Sequence, residues 1–277
     1  MKDFLRLTDY TAEDIRDIFN LADELRQGKH AEALRGKTVI LFFPSSSLRT
    51  RVTFEKGIHM LGGQSILFPP ETLDKKEDLQ DVCGYLQNWA DMLIVRHKSI
   101  AVLEKLAKYF PGPVINAMTD DNHPCEILTD LYALSKCRKD FLKDKYLFCG
   151  KRGNIGNTWR EASAVFGFEL SQCCAKGYEM EGVKVYYDID TAVQGKDIIC
   201  TDSLSEAVLP DFQNCRVTKA AMERANKGAL LNPCPPFYRG EEISEDAMEY
   251  FVGYEFKKHL LWVQQAVMIY LMRKLYS

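Results

Sequence analysis

The sequence predicts an α/β protein of two doubly wound parallel-sheet domains followed by a docked C-terminal helix. Three observations carry this expectation. Short apolar runs alternate with helical periodicity twice along the chain, the pattern of parallel strands joined by crossover helices. A short charged stretch from Asp140 to Asp144 separates the two series. The apolar segment from Leu260 to Met272 stands alone near the end, too short to span a bilayer and interrupted by Gln264 and Gln265.

Taken in order, Thr8, Asp9 and Thr11 precede a helical run of Ile15, Ile18, Phe19, Leu21, Ala22 and Leu25. Asp14, three residues after Thr11, makes an imperfect capping box, so the N-terminus reads as a helix and not as an export signal. Strands are expected at 37–43, 64–68, 91–96 and 113–117, and helices at 51–61, 77–89 and 100–109. In the first of these helices Val52, Phe54, Ile58 and Leu61 are expected to face inward. A helix from Pro124 through Arg138 links the halves. In the second half strands are expected at 145–149, 169–174, 183–187, 196–201 and 228–231, with helices around 157–166, 189–194, 204–208 and 218–226. No internal repeat of fixed period interrupts this plan.

With 277 residues the chain can bury a substantial core. A net charge of −3 and interspersed charges argue against nucleic acid or an anionic membrane as the main partner. Nine cysteines are scattered, none in C-x-x-C spacing. That suggests neither a zinc site nor a disulfide framework, and it fits a reducing cytosol.

The most informative stretch is Ser47-Leu48-Arg49-Thr50-Arg51. It lies between the apolar run Thr38–Phe43 and an amphipathic run, so a strand turns through Pro44-Ser45-Ser46-Ser47 into a helix. Such a turn presents unpaired backbone N–H groups and a positive dipole end. Hydroxyls and a guanidinium there make a site for phosphate or a similar compact dianion, whereas an ordinary cap needs one hydroxyl and no forked cations. The loop from Gly150 to Gly156 follows a second strand and has G-x-x-G-x-x-G spacing. A dinucleotide site needs an acidic residue ending the next strand. Here that strand ends Cys173-Cys174-Ala175-Lys176, and Glu179 arrives only after a turn, so a tight strand-to-helix turn is the competing reading.

Ser47–Arg51 fits the S-x-R-T-R pattern of the aspartate and ornithine carbamoyltransferases, and further features fall in the same order along nearly the whole chain. Arg96 follows the strand Asp91–Val95. His123-Pro124-Cys125-Glu126 resembles H-P-x-Q, and Gly153–Asn157 resembles the ornithine-type loop with its asparagine. Thr201-Asp202 resembles a T-D that closes a strand, and Asn232-Pro233-Cys234-Pro235 resembles H-P-L-P or H-C-L-P. The series resembles that family as a whole. The resemblance implies a carbamoyl-phosphate-binding domain over 1–134, with the C-terminal helix 258–277 packing back on it, and an acceptor (amino-acid)-binding domain over 135–257.

It also implies roles. Ser47, Leu48, Arg49 and Thr50 would hold the phosphate, and Arg96, His123 and the Thr50 hydroxyl would form an oxyanion site for the carbonyl. The side chain of Glu126 and the backbone carbonyls of Pro233 and Cys234 would accept from the carbamoyl NH2. Lys76, or less readily Lys75, would complete the phosphate site of a neighbouring subunit, which implies a homotrimer or a multiple of one. Asn154, Asp202 and Lys151 would face an amine acceptor. No metal, cofactor or covalent intermediate is implied, since positioning and fixed charge suffice.

Several residues depart from the family pattern. Glu126 stands for the usual glutamine, Asn232 for a histidine, and the Ser-Met-Gly that follows T-D in ornithine enzymes reads Ser203-Leu204-Ser205-Glu206-Ala207. The family's C-terminal arginine falls at Leu260, where Lys258 or His259 could substitute only if the helix shifts. These changes point away from aspartate and toward an amino-acid-like or cationic amine such as ornithine. Alternatives remain for single residues: His123 as a helix cap, Arg96 as a strand-end charge, Asp202 as a cap, and Lys75, Lys76, Lys151 and Arg152 as solvated surface. For the whole chain the alternatives are a non-catalytic, anion-binding sensor or assembly subunit, and a nucleotide-dependent oxidoreductase built on the Gly150 loop.

Overall fold

In a computed structural model, which describes residues 2–276, the contacts divide the chain into two units: Met1–Ala133 with Lys257–Ser277, and Leu134–Phe256. The first opens on α1 (Ala12–Arg26), whose N-terminus carries the full reciprocal capping box between Thr11 and Asp14. Then follow β1 (Thr38–Phe42), α2 (Arg49–Met60), β2 (Gln64–Phe68), α3 (Leu79–Leu86), β3 (Met92–Arg96), α4 (Ile100–Tyr109), β4 (Val114–Met118) and α5 (Pro124–Cys137). All four strands are parallel, in the order β2-β1-β3-β4. The order reverses between β1 and β3. In open α/β sheets the crevice at that reversal, beyond the carboxyl ends of the strands, is where ligands bind.

Period-two burial explains the layers. Ile40, Phe42, Leu93, Val95 and Val114 pack with Leu79, Cys83, Leu103 and Leu106 of α3 and α4. Along α2 the buried side is Thr50, Phe54, Gly57 and Ile58. Val52, expected inside, is 53% exposed. It lies two residues before Phe54, about 200° around the helix from the packed face.

The second unit holds β5 (Tyr146–Cys149), α6 (Asn154–Phe166), β6 (Leu170–Cys173), β7 (Lys184–Tyr186), α7 (Ile189–Ala192), β8 (Ile198–Thr201), α8 (Lys219–Met222) and β9 (Leu230–Pro233). Its parallel sheet runs β7-β6-β5-β8-β9, reversing between β5 and β8. The helix expected at 204–208 does not form. Residues 206–208 make turns that lead into a 3-10 helix, Leu209–Cys215, with Pro210 in its first turn. The helix expected at 218–226 shortens to α8, and the strand expected at 228–231 lies two residues later. The chain ends with α9 (Tyr254–Lys257) and α10 (His259–Tyr276). In the first unit α10 packs on α1 and α2, as expected for a docked C-terminal helix. Gly57 admits the close approach of α10: a methyl there would meet Gln265 Cγ at 3.1 Å, and Gln265 Nε2 donates to the Gly57 carbonyl. Among the described residues no helix is long and apolar enough to cross a membrane.

Candidate functional site

The reversal between β1 and β3 carries the expected residues of the first unit. After β1 the chain turns at Ser47, whose N–H donates to the Pro44 carbonyl, and enters α2 at Arg49. Val52 N donates to Leu48 O, so the amides of Arg49, Thr50 and Arg51 belong to the first turn, whose N–H groups lack intrahelical acceptors. The N-cap is Leu48, not a serine, and no side chain caps the helix. Ser47 and Thr50 are buried, while Leu48 and Arg49 are exposed. The hydroxyls and amides thus sit at the positive end of the helix dipole.

Arg96 ends β3, and the β3–β4 pairing slips there: Val95 pairs with Asn116 but Arg96 with Met118, skipping Ala117. Such an irregularity re-aims a side chain. Arg96 Nη1 donates to Ser47 Oγ at 3.2 Å. His123 immediately precedes Pro124 at the start of α5, and its carbonyl accepts from Glu126 N. Proline suits that first helical position because its missing N–H has no helical partner there.

A buried amide network fixes the loop that leads to His123. Asn116 Nδ2 donates to Leu5 O at 3.0 Å and to Asn122 Oδ1 at 2.7 Å, and Asn122 Nδ2 donates to Leu5 O at 3.1 Å. Burial pulls the His123 imidazole down to about 4, with Glu126 opposing and Arg96 and Lys257 reinforcing the shift. The ring is therefore neutral near pH 7 and can donate a hydrogen bond, not an imidazolium proton. Glu126 is buried beside it, and Lys257 Nζ contacts Glu126 Oε1 at 2.9 Å and Asp130 Oδ1 at 2.5 Å. The cation that reaches this carboxylate from the C-terminal segment is Lys257, two residues from His259 and one from Lys258, the residues considered as substitutes for the family's C-terminal arginine. His259 instead lies against the rings of Tyr132 and Trp262. Sequence reading missed Lys257, and its signal was the carboxylate at 126, which needs a counter-charge when buried.

Lys75 and Lys76 lie exposed in the loop between the 3-10 helix Pro70–Asp74 and α3. That loop is tied to the strand of Arg96, because His97 Nε2 contacts Asp74 at 2.9 Å and Ser99 N donates to His97 Nδ1.

In the second unit the remaining expected residues share the carboxyl edge of its sheet, Lys151, Asn154 and Asp202 at the reversal between β5 and β8 and Asn232, Pro233 and Cys234 at the end of β9. Lys151 follows β5 and Asn154 opens α6, its Oδ1 accepting from Ile155 N at 2.8 Å. Asp202 follows β8, its Oδ1 accepting from Ser203 N at 2.9 Å. Asn232 and Pro233 end β9, and Cys234 N donates to Thr201 O. Lys151, Asn154 and Asp202 are half-buried, and Asn232, Pro233 and Cys234 are buried. The glycines of the Gly150 loop are explained by packing. A methyl on Gly150 would meet the Phe148 ring at 2.9 Å, and one on Gly156 would meet Phe148 at 2.7 Å and Met180 Sδ at 2.8 Å. The loop is a tight turn closed over Phe148, and Glu179 is occupied with Gly177 N and Tyr187 Oη.

Comparison with known proteins matches both parts of the chain, and the second match runs on into the C-terminal segment that the contacts group with the first unit. Residues 2–136 match the carbamoyl-P binding domain, and residues 143–271 the Asp/Orn binding domain, of the aspartate/ornithine carbamoyltransferases. The chain is 30% identical over 299 residues to an ornithine carbamoyltransferase of Syntrophotalea carbinolica, covering 98% of this chain and 99% of that one. To the Campylobacter fetus ornithine carbamoyltransferase it is 32% identical over 309 residues, covering 100% of each. Among solved structures, the anabolic ornithine carbamoyltransferase of Campylobacter jejuni superposes with a TM-score of 0.92 at 29% identity, covering 99% of this chain and 100% of that one. These relatives lend no support to the alternative of a non-catalytic anion-binding subunit.

Proposed function

We propose, from the premise that this chain belongs to the aspartate/ornithine carbamoyltransferase family, that it moves the carbamoyl group of carbamoyl phosphate onto the amine of ornithine or a closely similar amino acid. The observation that carries the reading is the gathering of Ser47, Thr50, Arg49 and Arg96 at the sheet reversal of the first unit, with His123 beside Arg96 in the electrostatics. Ser47, Arg49, Thr50 and the first-turn amides of α2 take the phosphate. Arg96 and the neutral His123 imidazole donate to the carbonyl oxygen, and Glu126 accepts from the carbamoyl nitrogen.

The acceptor's amine lone pair attacks the carbonyl carbon, and negative charge builds on the oxygen held by Arg96, His123 and Thr50. Collapse re-forms the C=O, breaks the bond to the phosphate oxygen, and releases phosphate with that electron pair while the amine sheds a proton. Preorganised donors stabilise the charge without reorganising at the moment of reaction. Asp202 pairs with the acceptor's α-ammonium, Asn154 hydrogen-bonds its polar end, and Lys151 engages its carboxylate. The departure from Ser-Met-Gly at Ser203–Ala207 is where this acceptor site differs from that of ornithine enzymes.

The same reading makes the protein a trimer or a multiple of one. Leu48, the N-cap of α2, and Val52 within it, with Ile66 and Phe68 of edge strand β2, are 69%, 53%, 44% and 38% exposed. An apolar face of this kind beside an open sheet edge marks an interaction surface, and a second copy of this chain is its partner, bringing Lys76 to the phosphate. The nine free thiols accord with the cytosol.

The test is phosphate release from carbamoyl phosphate across a panel of ornithine, aspartate, putrescine and related amines. Turnover on ornithine or a near analogue, with none on aspartate, supports the reading. Absence of turnover on every amine defeats it.

A further inference from the structure

We propose that Lys257 is a positioning residue for carbamoyl transfer: its ammonium clamps one oxygen of Glu126 so that the other accepts from the carbamoyl NH2. The inference deepens the functional reading above and rests on it. A Glu–Lys pair would then do in this chain what an uncharged glutamine does at the matching position of the family.

The geometry is that of a built pair. Glu126 lies in the first turn of α5, three residues after His123, and Asp130 lies one turn further on the same face. Lys257 ends α9 and reaches both, at 2.9 Å to Glu126 Oε1 and 2.5 Å to Asp130 Oδ1. The side chains of Lys257, Glu126 and Asp130 are 15%, 9% and 2% exposed. A carboxylate that deep must be paired or take up a proton. A protonated Glu126 would turn an O–H toward a ligand group that is itself a donor.

Burial pushes the Glu126 carboxyl up, but Lys257 foremost, with His123 and Arg49, outweighs it and holds the group below the usual range. It therefore stays an acceptor. Leu260, which falls at the place of the family's arginine, is buried and uncharged, and the cation of this segment that meets Glu126 is Lys257, three residues earlier.

Lys257 acts on the reaction through Glu126, so its effect on kcat/KM must vanish when residue 126 is neutral. The experiment is a double-mutant cycle of Lys257→Met and Glu126→Gln, read by calorimetry with carbamoyl phosphate, by kcat and KM, and by NMR titration of His123. The charged groups acting on that imidazole are Glu126, Arg96 and Lys257.

Lys257→Met alone is expected to lower kcat/KM by about 100-fold, the scale of a small misplacement at a reacting centre. It should also move the His123 titration upward. In the Glu126→Gln background the same substitution should leave kcat/KM unchanged, while the direct pull of the ammonium on His123 is still lost and its titration still moves upward. Equal losses in both backgrounds would mean that Lys257 only docks the C-terminal segment, and would overturn the proposal. If Lys257→Met does not fold, the cycle is run in an Asp130→Asn background, which neutralises the other carboxylate that Lys257 contacts. A wild-type protein that binds no carbamoyl phosphate defeats the functional reading and this inference with it. Wild-type binding and turnover with an additive cycle defeats this inference alone.

Discussion

Arg96 Nη1 donates to Ser47 Oγ across 3.2 Å, which ties the turn after β1 to the end of β3. In the proposed reading one is the phosphate turn and the other the strand that carries the carbonyl-directed guanidinium, and this bond links the two. Ser47 is 2% exposed, and the register slip at Arg96 aims the guanidinium. Arg96→Met should therefore lower kcat by about 100- to 1000-fold, the usual effect of losing an oxyanion donor. Ser47→Ala removes the tie and one phosphate ligand but leaves the charge, and it should act mainly on KM for carbamoyl phosphate. Steady-state kinetics separates the two, and an unchanged kcat in Arg96→Met would remove Arg96 from the oxyanion site.

Acid sensitivity should carry the mark of His123. Its folded value is about 4 against an ordinary 6.5, so on acidification the unfolded chain takes up the proton first. The neutral burial then contributes stability in full above pH 6.5 and loses it progressively as pH falls toward 4. Replacing His123 by Asn removes this loss. Urea unfolding of wild type and His123→Asn should show wild type losing about 2 kcal/mol more than the variant between pH 7 and pH 5. Parallel losses would mean that the imidazole titrates normally. The opposite case, Glu126 held low by Lys257, acts below the ordinary carboxyl range and does not confuse this window.

Much of this was legible in the sequence, for reasons that differ by residue. The five-residue Ser47–Arg51 stretch is local, so chemistry and structure coincide in one turn, and the alternation of β-branched runs with amphipathic ones fixed both sheets. Lys257 was not legible because its partner lies 131 residues away; linear alignment drew attention only to Lys258 and His259, as stand-ins for a C-terminal arginine, and Lys257 instead ends α9 against α5. The Asn116–Asn122 clamp on Leu5 was missed for the same reason, since nothing in the sequence says that an N-terminal carbonyl will lie beneath that loop. Val52 was assigned inward from its apolarity, although its phase on the helix puts it opposite Phe54.

The exposed face of α2 and β2 gives a prediction about assembly. If a second copy covers it and supplies Lys76, then Lys76→Ala and Arg96→Met should each be strongly impaired as pure proteins. Mixing them under conditions that exchange subunits should restore activity, because some interfaces then join an intact Arg96 site to an intact Lys76 loop. Failure to recover activity in mixed oligomers would place the Lys76 loop outside the neighbouring site. Replacing Val52 with Glu should dissociate the oligomer, since a charge would have to be buried at an apolar contact, and light scattering would register it.

Gln264 offers a test of the core that is independent of catalysis. It is fully buried in α10, and neither its Nε2 nor its Oε1 has a hydrogen-bond partner among the described residues. The neighbouring Gln265, by contrast, donates to Gly57 O and holds α10 against α2. A buried amide without partners costs about 1–3 kcal/mol, and leucine is close to it in size with no polar atoms to satisfy. Gln264→Leu should therefore raise stability by about 1–2 kcal/mol, read as a higher denaturation midpoint at unchanged slope. Gln265→Leu should lower it, because the Gly57 carbonyl loses its donor and a branched side chain meets the α2 backbone. If both substitutions destabilise alike, Gln264 is satisfied in solution and the two amides are equivalent after all.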